Sequence, residues 1–334
     1  MKAAVMGAGS WGTTFAQVLC DAGTRTVLFS RKPQLAKALT GLHENPDYLP
    51  GITLTPALDA TSDPGEAFDG ADLVAFAVPA QSLRANLMAW APLIPSGVLL
   101  VSLIKGIELG TCRRMSEVIT EVLGADASRI AVVAGPNLAA EIVRRQFTAA
   151  VVACASPDGA LALQGACHTP YFRPYTNTDV TGCELGGTVK NVIAIAVGIA
   201  VAMGLGDNTR ATLITRGLAE IARLGSALGA DQQTFAGLAG MGDLVATCSS
   251  QLSRNRTFGE NLGRGMTVAA AAAVMSQTAE GVASCGPVLE LARSHHVEMP
   301  ITEVVEAVMR DGLPVAEAAS MLASRSAKPE WYGP

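Results

Sequence analysis

Short apolar runs alternate with helix-like patterns through the first half of the chain. The β-branched runs that predict strands are residues 3–6, 26–29, 72–78, 98–102, 130–134 and 150–154. Helical patterns lie between them, at residues 10–20, 111–123 and 157–167. Apolar strands that alternate with amphipathic helices predict a parallel sheet covered by helices on both faces, which is the doubly wound α/β class.

Strand signals end after residues 171–175, and long helical patterns rich in alanine, leucine and valine follow. They cover residues 185–228, 268–273, 287–294 and 301–309. Polar residues and glycines interrupt the periodicity at 177–187, as expected where two domains join. The pattern therefore predicts an N-terminal α/β domain, 1–182, and an all-α C-terminal domain, 183–334.

Composition and charge narrow the range of partners. A length of 334 residues is enough for two well-buried domains. The net charge of −5, with 16% charged residues, gives no basic stripe for nucleic acid and no polybasic segment for a membrane surface. The apolar stretch 192–205 is shorter than the roughly 18 residues of a spanning helix, so we interpret it as a core helix and expect no membrane insertion.

The reactive residue types indicate a cytoplasmic protein without a metal. The seven cysteines are scattered and form no Cys-x-x-Cys pair, and there is no His-Glu-x-x-His among the four histidines. Residues 1–5 lack the features of a secretory signal. We therefore expect reduced thiols, no metal site and a small-molecule substrate.

A glycine motif indicates a dinucleotide coenzyme. Gly7, Gly9 and Gly12 form a G-x-G-x-x-G pattern, with Ser10 and Trp11 inside it, directly after the first predicted strand and at the start of the first helix. In that position the glycines let the backbone approach a pyrophosphate at the helix N-terminus, as in Rossmann-like domains. A lone motif of this kind also occurs in simple tight turns.

The end of the second predicted strand favours NADPH over NADH. An acidic residue usually follows this strand in NAD-binding domains and accepts hydrogen bonds from the ribose. Ser30, Arg31 and Lys32 stand there instead. Two cations suit a 2′-phosphate, although ordinary solvated charges would give the same pattern.

Lys190 is the candidate acid/base. We expect it near the start of the long apolar helix, where the helix dipole opposes a cation and apolar neighbours remove water. Both effects lower a lysine pKa toward the range of proton exchange near neutrality. A lysine that reaches solvent, or one that pairs with Glu184 or Asp243, fits the spacing equally well.

Further along the chain, two groups of polar residues suggest a substrate site. Asp243 and Thr247 are four residues apart, so they share a face if that segment is helical. Ser253, Arg254 and Asn255 combine a hydroxyl, a guanidinium and an amide, which all donate hydrogen bonds to a phosphate. The alternative is a charged helix start with Ser253 as its N-cap.

Together these segments resemble the NAD(P)-dependent sn-glycerol-3-phosphate dehydrogenase family over nearly the whole chain. The matching motifs, in order, are residues 7–12, Tyr48-Leu49-Pro50-Gly51, Thr61-Ser62-Asp63, Val78-Pro79-Ala80, residues 102–108, Gly135-Pro136, Lys190-Asn191, Gly242-Asp243-Leu244, Ser253-Arg254-Asn255 and Glu280-Gly281-Val282. The resemblance implies a Rossmann-like domain followed by a helical domain. It also implies reversible hydride transfer between NADPH or NADH and dihydroxyacetone phosphate, giving sn-glycerol 3-phosphate for glycerophospholipid synthesis.

The resemblance implies that Lys190 donates and accepts the proton, with Lys105 and Asp243 beside the reacting carbon. Taken with the motifs above, the residues expected to bind the substrate are Lys105, Gly135, Asn137, Lys190, Asn191, Asp243, Thr247, Ser253, Arg254 and Asn255. Those expected to bind the coenzyme are Gly7, Gly9, Ser10, Trp11, Gly12, Arg31, Lys32, Lys105, Ala139, Arg254 and Glu280. We also expect a homodimer, since the helical domain offers surface for one.

Two segments depart from the family pattern, and two other functions remain open. Asn137 and Leu138 replace the usual Ser/Thr and Phe after Gly135-Pro136, and Gln277-Thr278-Ala279 is more polar than the usual valine-rich segment.

One alternative function is that of another reductase with the same two-domain plan, of the ketopantoate or 6-phosphogluconate type. A non-catalytic dinucleotide sensor is the other.

Overall fold

The computed structural model describes residues 1–275, 279–326 and 329. By its internal contacts the chain divides into two compact units. Unit 1 comprises Met1–Lys105 and Arg113–Glu184, and unit 2 comprises Gly106–Cys112 and Leu185–Pro334. The short segment from the first half groups with unit 2 because the side chain of Ile107 is fully buried in the helical core.

Unit 1 is built on an eight-stranded sheet. The strands of the chain are β1 (Lys2–Met6), β2 (Arg25–Phe29), β3 (Glu44–Asn45), β4 (Leu49–Thr53), β5 (Asp59–Thr61), β6 (Leu73–Phe76), β7 (Leu99–Ser102), β8 (Ile130–Ala134), β9 (Thr148–Cys154) and β10 (Phe172–Asn177). The order in the sheet is β10-β9-β8-β7-β6-β1-β2-β5, and β3 pairs with β4 in a separate hairpin. All six predicted strands are present. β10 overlaps the last strand signal, at 171–175, and the short β3, β4 and β5 were not predicted.

Helices pack on both faces of the sheet, as predicted. They are α1 (Ser10–Asp21), α2 (Pro33–Gly41), α3 (Pro64–Phe68), α4 (Leu83–Trp90), α5 (Met115–Leu123), α6 (Ala139–Ile142) and α7 (Pro157–Cys167). Alternate residues of β1 serve opposite faces: Ala3 and Val5 belong to one apolar cluster, and Ala4 and Met6 belong to the other. The doubly wound class is therefore confirmed.

The sheet differs from the prediction in one respect, because β8 and β9 are antiparallel. The connection between them contains only the four-residue helix α6. One helical turn does not carry the chain back along the whole strand, whereas a parallel crossover requires that. A full helix, α7, does connect β9 to β10, and those two strands are parallel.

From Leu185 onward, unit 2 consists of helices and the turns between them in the residues that the structure describes. Its helices are α8 (Val180–Ala202, which begins in unit 1), α9 (Asp207–Ala227), α10 (Gln232–Ala236), α11 (Asp243–Ser249), α12 (Arg254–Gly263), α13 (Val268–Ala273), α14 (Glu280–Ser294), α15 (Pro300–Glu306) and α16 (Val315–Ala323). The single pattern predicted over 185–228 is two helices, separated by a turn. The all-α second half is confirmed.

Helix α8 is the central helix of unit 2. It is long and apolar enough to cross a membrane by length and composition, but 89% of its most apolar window is buried inside the protein. Val192, Ile193 and Ile195 are completely buried and belong to the main helical cluster. The prediction of a core helix is therefore confirmed.

Glycines let α12 lie directly against α8. A Cβ atom on Gly259 would stand 2.1 Å from the carbonyl oxygen of Ile195, and one on Gly198 would stand 2.1 Å from that of Arg256. On Gly263 it would stand 2.7 Å from the Ile199 oxygen. These distances exclude any side chain, so the backbones are in contact. The contact holds the start of α12 close to the middle of α8.

Candidate active site

The glycine loop of unit 1 has the geometry of a dinucleotide site. Gly7 adopts φ +130°, and a Cβ atom there would stand 2.5 Å from the Ala77 oxygen. On Gly12, a Cβ atom would stand 1.9 Å from the Gly7 oxygen, so two of the glycines are required by the protein's own packing. Gly9 differs, because a Cβ atom there would meet nothing within 4 Å. Its missing side chain leaves open space beside the backbone.

That open space lies at the N-terminus of α1. Gly9 is the N-cap residue and no side chain caps the helix, so the first N–H groups of α1 are directed toward this space. Helix N-termini of this kind favour anions through their N–H groups and dipole. The arrangement fits a pyrophosphate, and the residues that would hold it are Gly9, Ser10 and their neighbours in the loop.

Ser10 and Trp11 follow Gly9 in the first turn of α1. The Ser10 hydroxyl donates to the Tyr48 carbonyl oxygen at 3.2 Å. The buried Nε1 of Trp11 has no hydrogen-bond partner among the described residues, and its ring packs on Phe15. A buried N–H without a partner costs free energy, so this indole nitrogen is a local source of instability at the start of α1.

Arg31 and Lys32 follow β2, as predicted. Arg31 is exposed. Lys32 forms an ion pair with Asp47, with Nζ 2.7 Å from Oδ2, and this carboxylate raises the pKa of the lysine. Because both partners are well exposed, the pair contributes little to stability. Its local effect is that a carboxylate stands beside one of the two cations expected to bind a 2′-phosphate.

Four further predicted residues lie in unit 1. The Lys105 ammonium donates to the Gly135 carbonyl oxygen at 3.0 Å. Asn137 donates from Nδ2 to the Ala134 oxygen, while its buried Oδ1 has no partner among the residues described. Ala139 begins α6 and lies against α1, where its carbonyl oxygen accepts a long hydrogen bond of 3.4 Å from Thr14. The Lys105 ammonium, from the segment after β7, thus lies at the carboxyl end of β8, next to the segment that holds the buried amide oxygen of Asn137.

The candidate catalytic group of unit 2 is a buried ion pair. Lys190 is 6% exposed and Asp243 1% exposed. The lysine Nζ donates to Oδ1 of Asp243 at 2.5 Å and to the Thr247 hydroxyl at 2.6 Å. Asp243 and Thr247 share one face of α11, as their spacing predicted. Of the alternatives left open for Lys190, the structure selects Asp243 as its ionic partner.

The predicted position of Lys190 in its helix was wrong. Helix α8 begins at Val180, so Lys190 lies about three turns inside it and beyond the first turn in which the helix dipole acts on a charge. Gly186 and Gly187 are inside the helix. A Cβ atom on Gly186 would stand 2.4 Å from the Ala239 oxygen, so this glycine permits close packing and does not end the helix. What the structure shows around Lys190 is therefore burial and the contacts with Asp243 and Thr247.

Asn191 and Asn255 join the Lys190 segment to the Arg254 segment. Asn255 donates from Nδ2 to Oδ1 of Asn191 at 2.9 Å, and both side chains are buried. The side-chain oxygen Oδ1 of Asn255 accepts from the backbone N–H of Gly281 at 2.9 Å. The two amides thereby hold the starts of α12 and α14 to the middle of α8. Both carboxamides make protein contacts in addition to any role with a substrate.

Ser253 and Arg254 form the start of α12. The Ser253 hydroxyl oxygen accepts from the Arg256 N–H at 3.3 Å, so the N-cap alternative is correct for this oxygen. Arg254 has an exposed surface, yet nearby protein atoms displace enough water to lower the pKa of its guanidinium, an effect that Glu280 opposes. Desolvation raises the pKa of Glu280, and Arg254 lowers it. The two charges are therefore neighbours, as expected if both belong to one site.

Glu184, the other possible partner of Lys190, serves a different purpose. It accepts hydrogen bonds at 2.8 Å from the Ser116 N–H and from Arg114. Burial raises its pKa, and Arg114 opposes that shift. Glu184 thus caps the start of α5.

Sequence reasoning missed Asn45, which is completely buried beside the glycine loop. Its amide donates to the Ala8 carbonyl oxygen at 3.0 Å and to the Thr13 hydroxyl at 2.7 Å. These partners are 37 and 32 residues away, so no local pattern indicated the contact.

The departure at Gln277-Thr278 lies outside the described residues. Within those residues, no group of three or more His, Cys, Asp and Glu side chains is arranged to hold a metal ion.

Two family models match the chain. Residues 2–160 match the NAD-dependent glycerol-3-phosphate dehydrogenase N-terminus, and residues 179–320 match the C-terminus of the same family. The chain is 64% identical to glycerol-3-phosphate dehydrogenase [NAD(P)+] of Thermobifida fusca over 99% of both chains. It is 62% identical to the enzyme of the same name from Streptomyces griseus, over 99% of this chain and 98% of that one.

A solved structure is similar over the whole fold. The crystal structure of glycerol-3-phosphate dehydrogenase from Coxiella burnetii superposes with a TM-score of 0.92 at 36% identity, covering 97% of this chain and 99% of the other. The family resemblance predicted from the motifs is thereby confirmed. The chain belongs to the NAD-dependent glycerol-3-phosphate dehydrogenase family, whose named members use NAD(P).

Proposed function

We propose that this chain is an NAD(P)-dependent sn-glycerol-3-phosphate dehydrogenase that interconverts dihydroxyacetone phosphate and sn-glycerol 3-phosphate. The nicotinamide coenzyme, when bound, supplies or accepts the hydride. The observation that carries the proposal is the buried pair of Lys190 and Asp243, with Nζ and Oδ1 2.5 Å apart. An ammonium at such a depth has few structural uses, since a buried ion pair adds little to stability compared with apolar residues.

Lys190 acts as the general acid and base. In the reducing direction its ammonium donates a proton to the ketone oxygen as negative charge develops there, and in the oxidising direction its amine removes the proton from the hydroxyl. Asp243 stabilises the cationic form and fixes the position of Nζ, and Thr247 provides a second fixed partner. Lys190 therefore both transfers a proton and stabilises an oxyanion.

We assign phosphate recognition to Ser253, Arg254 and Asn255. Arg254 supplies a permanent charge and a planar set of donors that match a phosphate. Asn191 shares a hydrogen bond with Asn255, so the phosphate segment and the Lys190 segment are held in register within unit 2. We assign Lys105, Gly135 and Asn137 to the substrate as well. Ala139 and Glu280 are assigned to the coenzyme, and Lys105 and Arg254 are assigned to both ligands.

We infer that NADPH is preferred over NADH, and that Arg31 is the main contact to the 2′-phosphate. Arg31 is exposed, whereas Lys32 is engaged by Asp47. The dimer and the cytoplasmic location predicted above stay predictions. Sedimentation of the purified protein would measure the first of them.

A steady-state assay tests the proposed function. Purified protein should oxidise NADPH in the presence of dihydroxyacetone phosphate, and should do so with a higher kcat/KM than with NADH. Oxidation with 2-dehydropantoate but not with dihydroxyacetone phosphate would favour the ketopantoate type of reductase. Coenzyme binding without turnover of any of these would favour the sensor. Arg31→Ala should reduce kcat/KM for NADPH but not for NADH, while Lys37→Ala on α2, which removes another exposed cation, should change neither.

A further inference from the structure

Asn45 is a fully buried carboxamide that makes three hydrogen bonds. Its Nδ2 donates to the Ala8 carbonyl oxygen at 3.0 Å and to the Thr13 hydroxyl at 2.7 Å. Its Oδ1 accepts from the Tyr48 backbone N–H at 3.1 Å. Buried polar groups are normally satisfied in this way, because a buried group without a partner costs free energy. The position of the partners distinguishes Asn45 from other satisfied buried amides.

Two of the three partners belong to the candidate dinucleotide loop. Ala8 lies between Gly7 and Gly9, and Thr13 is in the first turn and a half of α1. Glycine has unusually wide conformational freedom, and Gly9 has no packing neighbour at its Cβ position, so a contact from outside the loop restricts the conformation there. Asn45 provides that contact from the neighbouring β3.

The hydrogen bond to Ala8 fixes more than one carbonyl group. The Ala8 C=O and the Gly9 N–H belong to the same planar peptide unit, and in a trans peptide they point in opposite directions. The structure contains no cis peptide among the residues that it describes. When Asn45 holds the Ala8 oxygen on the buried side, the Gly9 N–H must point away from it. Gly9 is the glycine whose missing side chain leaves open space beside the backbone.

The same segment also contacts the next residue of the loop. The Ser10 hydroxyl donates to the Tyr48 carbonyl oxygen at 3.2 Å, and the Tyr48 N–H is held by Asn45. The contacts of Asn45 and Tyr48 therefore fix the consecutive residues Ala8, Gly9 and Ser10. These residues precede or begin α1, where an anion would bind.

We propose that Asn45 is a positioning residue of the coenzyme site, which sets the Ala8–Gly9 peptide so that the Gly9 N–H is directed at the coenzyme pyrophosphate. The proposal rests on the proposed function, because it takes the glycine loop to be the dinucleotide site. Asn45 does not touch the reacting atoms. Its loss should weaken coenzyme binding and leave the chemistry of the bound complex intact.

The test is a split between coenzyme binding and turnover in the full chain. We expect Asn45→Ala to raise the Kd for NADPH, measured by fluorescence titration, by about tenfold or more, as for a lost hydrogen bond that orients a charged contact. At saturating NADPH, kcat and the KM for dihydroxyacetone phosphate should stay within about twofold of wild type. Asn45→Asp covers the case in which the alanine variant does not fold. It keeps the shape and the acceptor for Tyr48, but as a carboxylate it has no N–H for Ala8.

Two matched variants separate positioning from simple loss of a buried hydrogen bond. Thr13→Val removes one partner of Asn45 but leaves the bond to Ala8, so the Kd should remain close to wild type. Thr24→Val removes a buried hydrogen bond of 2.9 Å to the Ala166 oxygen, in the same unit but away from the loop, and should lower the Tm without changing the Kd.

Three results would overturn the proposal. They are a wild-type Kd in either Asn45 variant, a rise in Kd that Thr24→Val reproduces, and a fall in kcat at saturating NADPH in proportion to the rise in Kd. Failure of the wild-type protein to bind NADPH would overturn the proposed function together with this inference. A wild-type enzyme that binds NADPH and turns over, beside variants with an unchanged Kd, would overturn this inference alone.

Discussion

A single buried cation carries most of the proposed chemistry, and its surroundings matter more than its place along the helix. Lys190 is held by Asp243 and Thr247, which lie 53 and 57 residues away in sequence. The cost of removing an ammonium from water is offset only by such partners. The same partners hold Nζ at a fixed point, which proton transfer requires.

Replacement of Lys190 should abolish turnover but not coenzyme binding. We expect Lys190→Ala to lower kcat by about a hundredfold or more, because general acid catalysis and oxyanion stabilisation are lost together. The Kd for NADPH should stay close to wild type, since the glycine loop is in unit 1. Asp243 loses its partner, so the Tm should also fall. Lys37→Ala, at an exposed position, serves as the control. Turnover near the wild-type rate would contradict the assigned role.

Replacement of Arg254 should affect substrate affinity. We expect Arg254→Ala to raise the KM for dihydroxyacetone phosphate by about tenfold or more, because a charged hydrogen bond to phosphate disappears. Arg254→Lys should recover only part of this, since an ammonium lacks the planar set of donors. Arg293→Ala removes an exposed arginine from α14 and should leave KM unchanged. The assignment fails if steady-state kinetics give Arg254→Ala a wild-type KM.

At the scale of helices and strands, the sequence predicted what local patterns encode. Six strands of the large sheet were predicted correctly, because short, buried, β-branched runs bounded by turn residues are typical of strands. The start of α8 was placed at 185, five residues late, because polar residues and glycines interrupt the apolar periodicity at 177–187. Gly186 nevertheless lies inside the helix, where it is needed for contact with Ala239. The start of α14 was placed at Pro287, seven residues late, because proline usually stands in the first turn of a helix.

The candidate site was predictable as a set of residue types but not as a set of contacts. Lys190, Asp243 and Arg254 were found because charged residues in apolar or phosphate-like patterns are informative. The sequence did not decide between Glu184 and Asp243 as the partner of Lys190. In the structure Glu184 pairs with Arg114, which lies 70 residues away, and no local spacing indicates that contact. Asn45 was missed for the same reason. Long-range pairing depends on the fold, which spacing does not contain.

The contact between α8 and α12 provides a prediction at this scale. Gly259→Ala should destabilise the protein by about 1–3 kcal/mol, because the new Cβ atom would stand 2.1 Å from the Ile195 oxygen and must displace α12. Since α12 begins with Arg254, the KM for dihydroxyacetone phosphate should rise as well. Gly165→Ala, inside α7, has nothing within 4 Å of its Cβ position and should be neutral or stabilising. Equal Tm values for the two variants would contradict this view of the helix contact.

Across the whole molecule, buried carboxylates connect helices that are distant in sequence. Glu184 on α8 caps the start of α5 in unit 1. Glu220 on α9 does the same for α15 in unit 2, where it accepts from the Ile301 N–H at 2.6 Å and from the Thr302 N–H at 3.2 Å. Each carboxylate satisfies N–H groups that lack partners inside their own helix. Burial raises the pKa of both carboxylates, so these caps make stability depend on pH.

The direction of that dependence follows from Glu220. Burial raises the pKa of Glu220 from the usual 4.5 to about 7. The hydrogen bonds from Ile301 and Thr302 and the charge of Arg223 oppose this shift. The Cys285 thiol nearby is neutral, because burial raises its pKa as well. The folded protein therefore holds a proton on Glu220 that the unfolded chain releases above pH 4.5. The stabilisation is complete below pH 4.5 and is lost as pH rises through 7. Over this window it amounts to about 3 kcal/mol in the free energy of unfolding.

Glu220→Gln should remove this contribution, because glutamine does not titrate. The free energy of unfolding can be measured by denaturant titration from about pH 5 to about pH 8. It should fall less steeply with pH in the variant than in wild type. Glu317→Gln changes an exposed carboxylate on α16 and should leave the wild-type slope intact. If the wild-type and Glu220→Gln slopes coincide, Glu220 is ionised in the folded protein throughout this range, and its carboxylate caps α15 as a permanent charge.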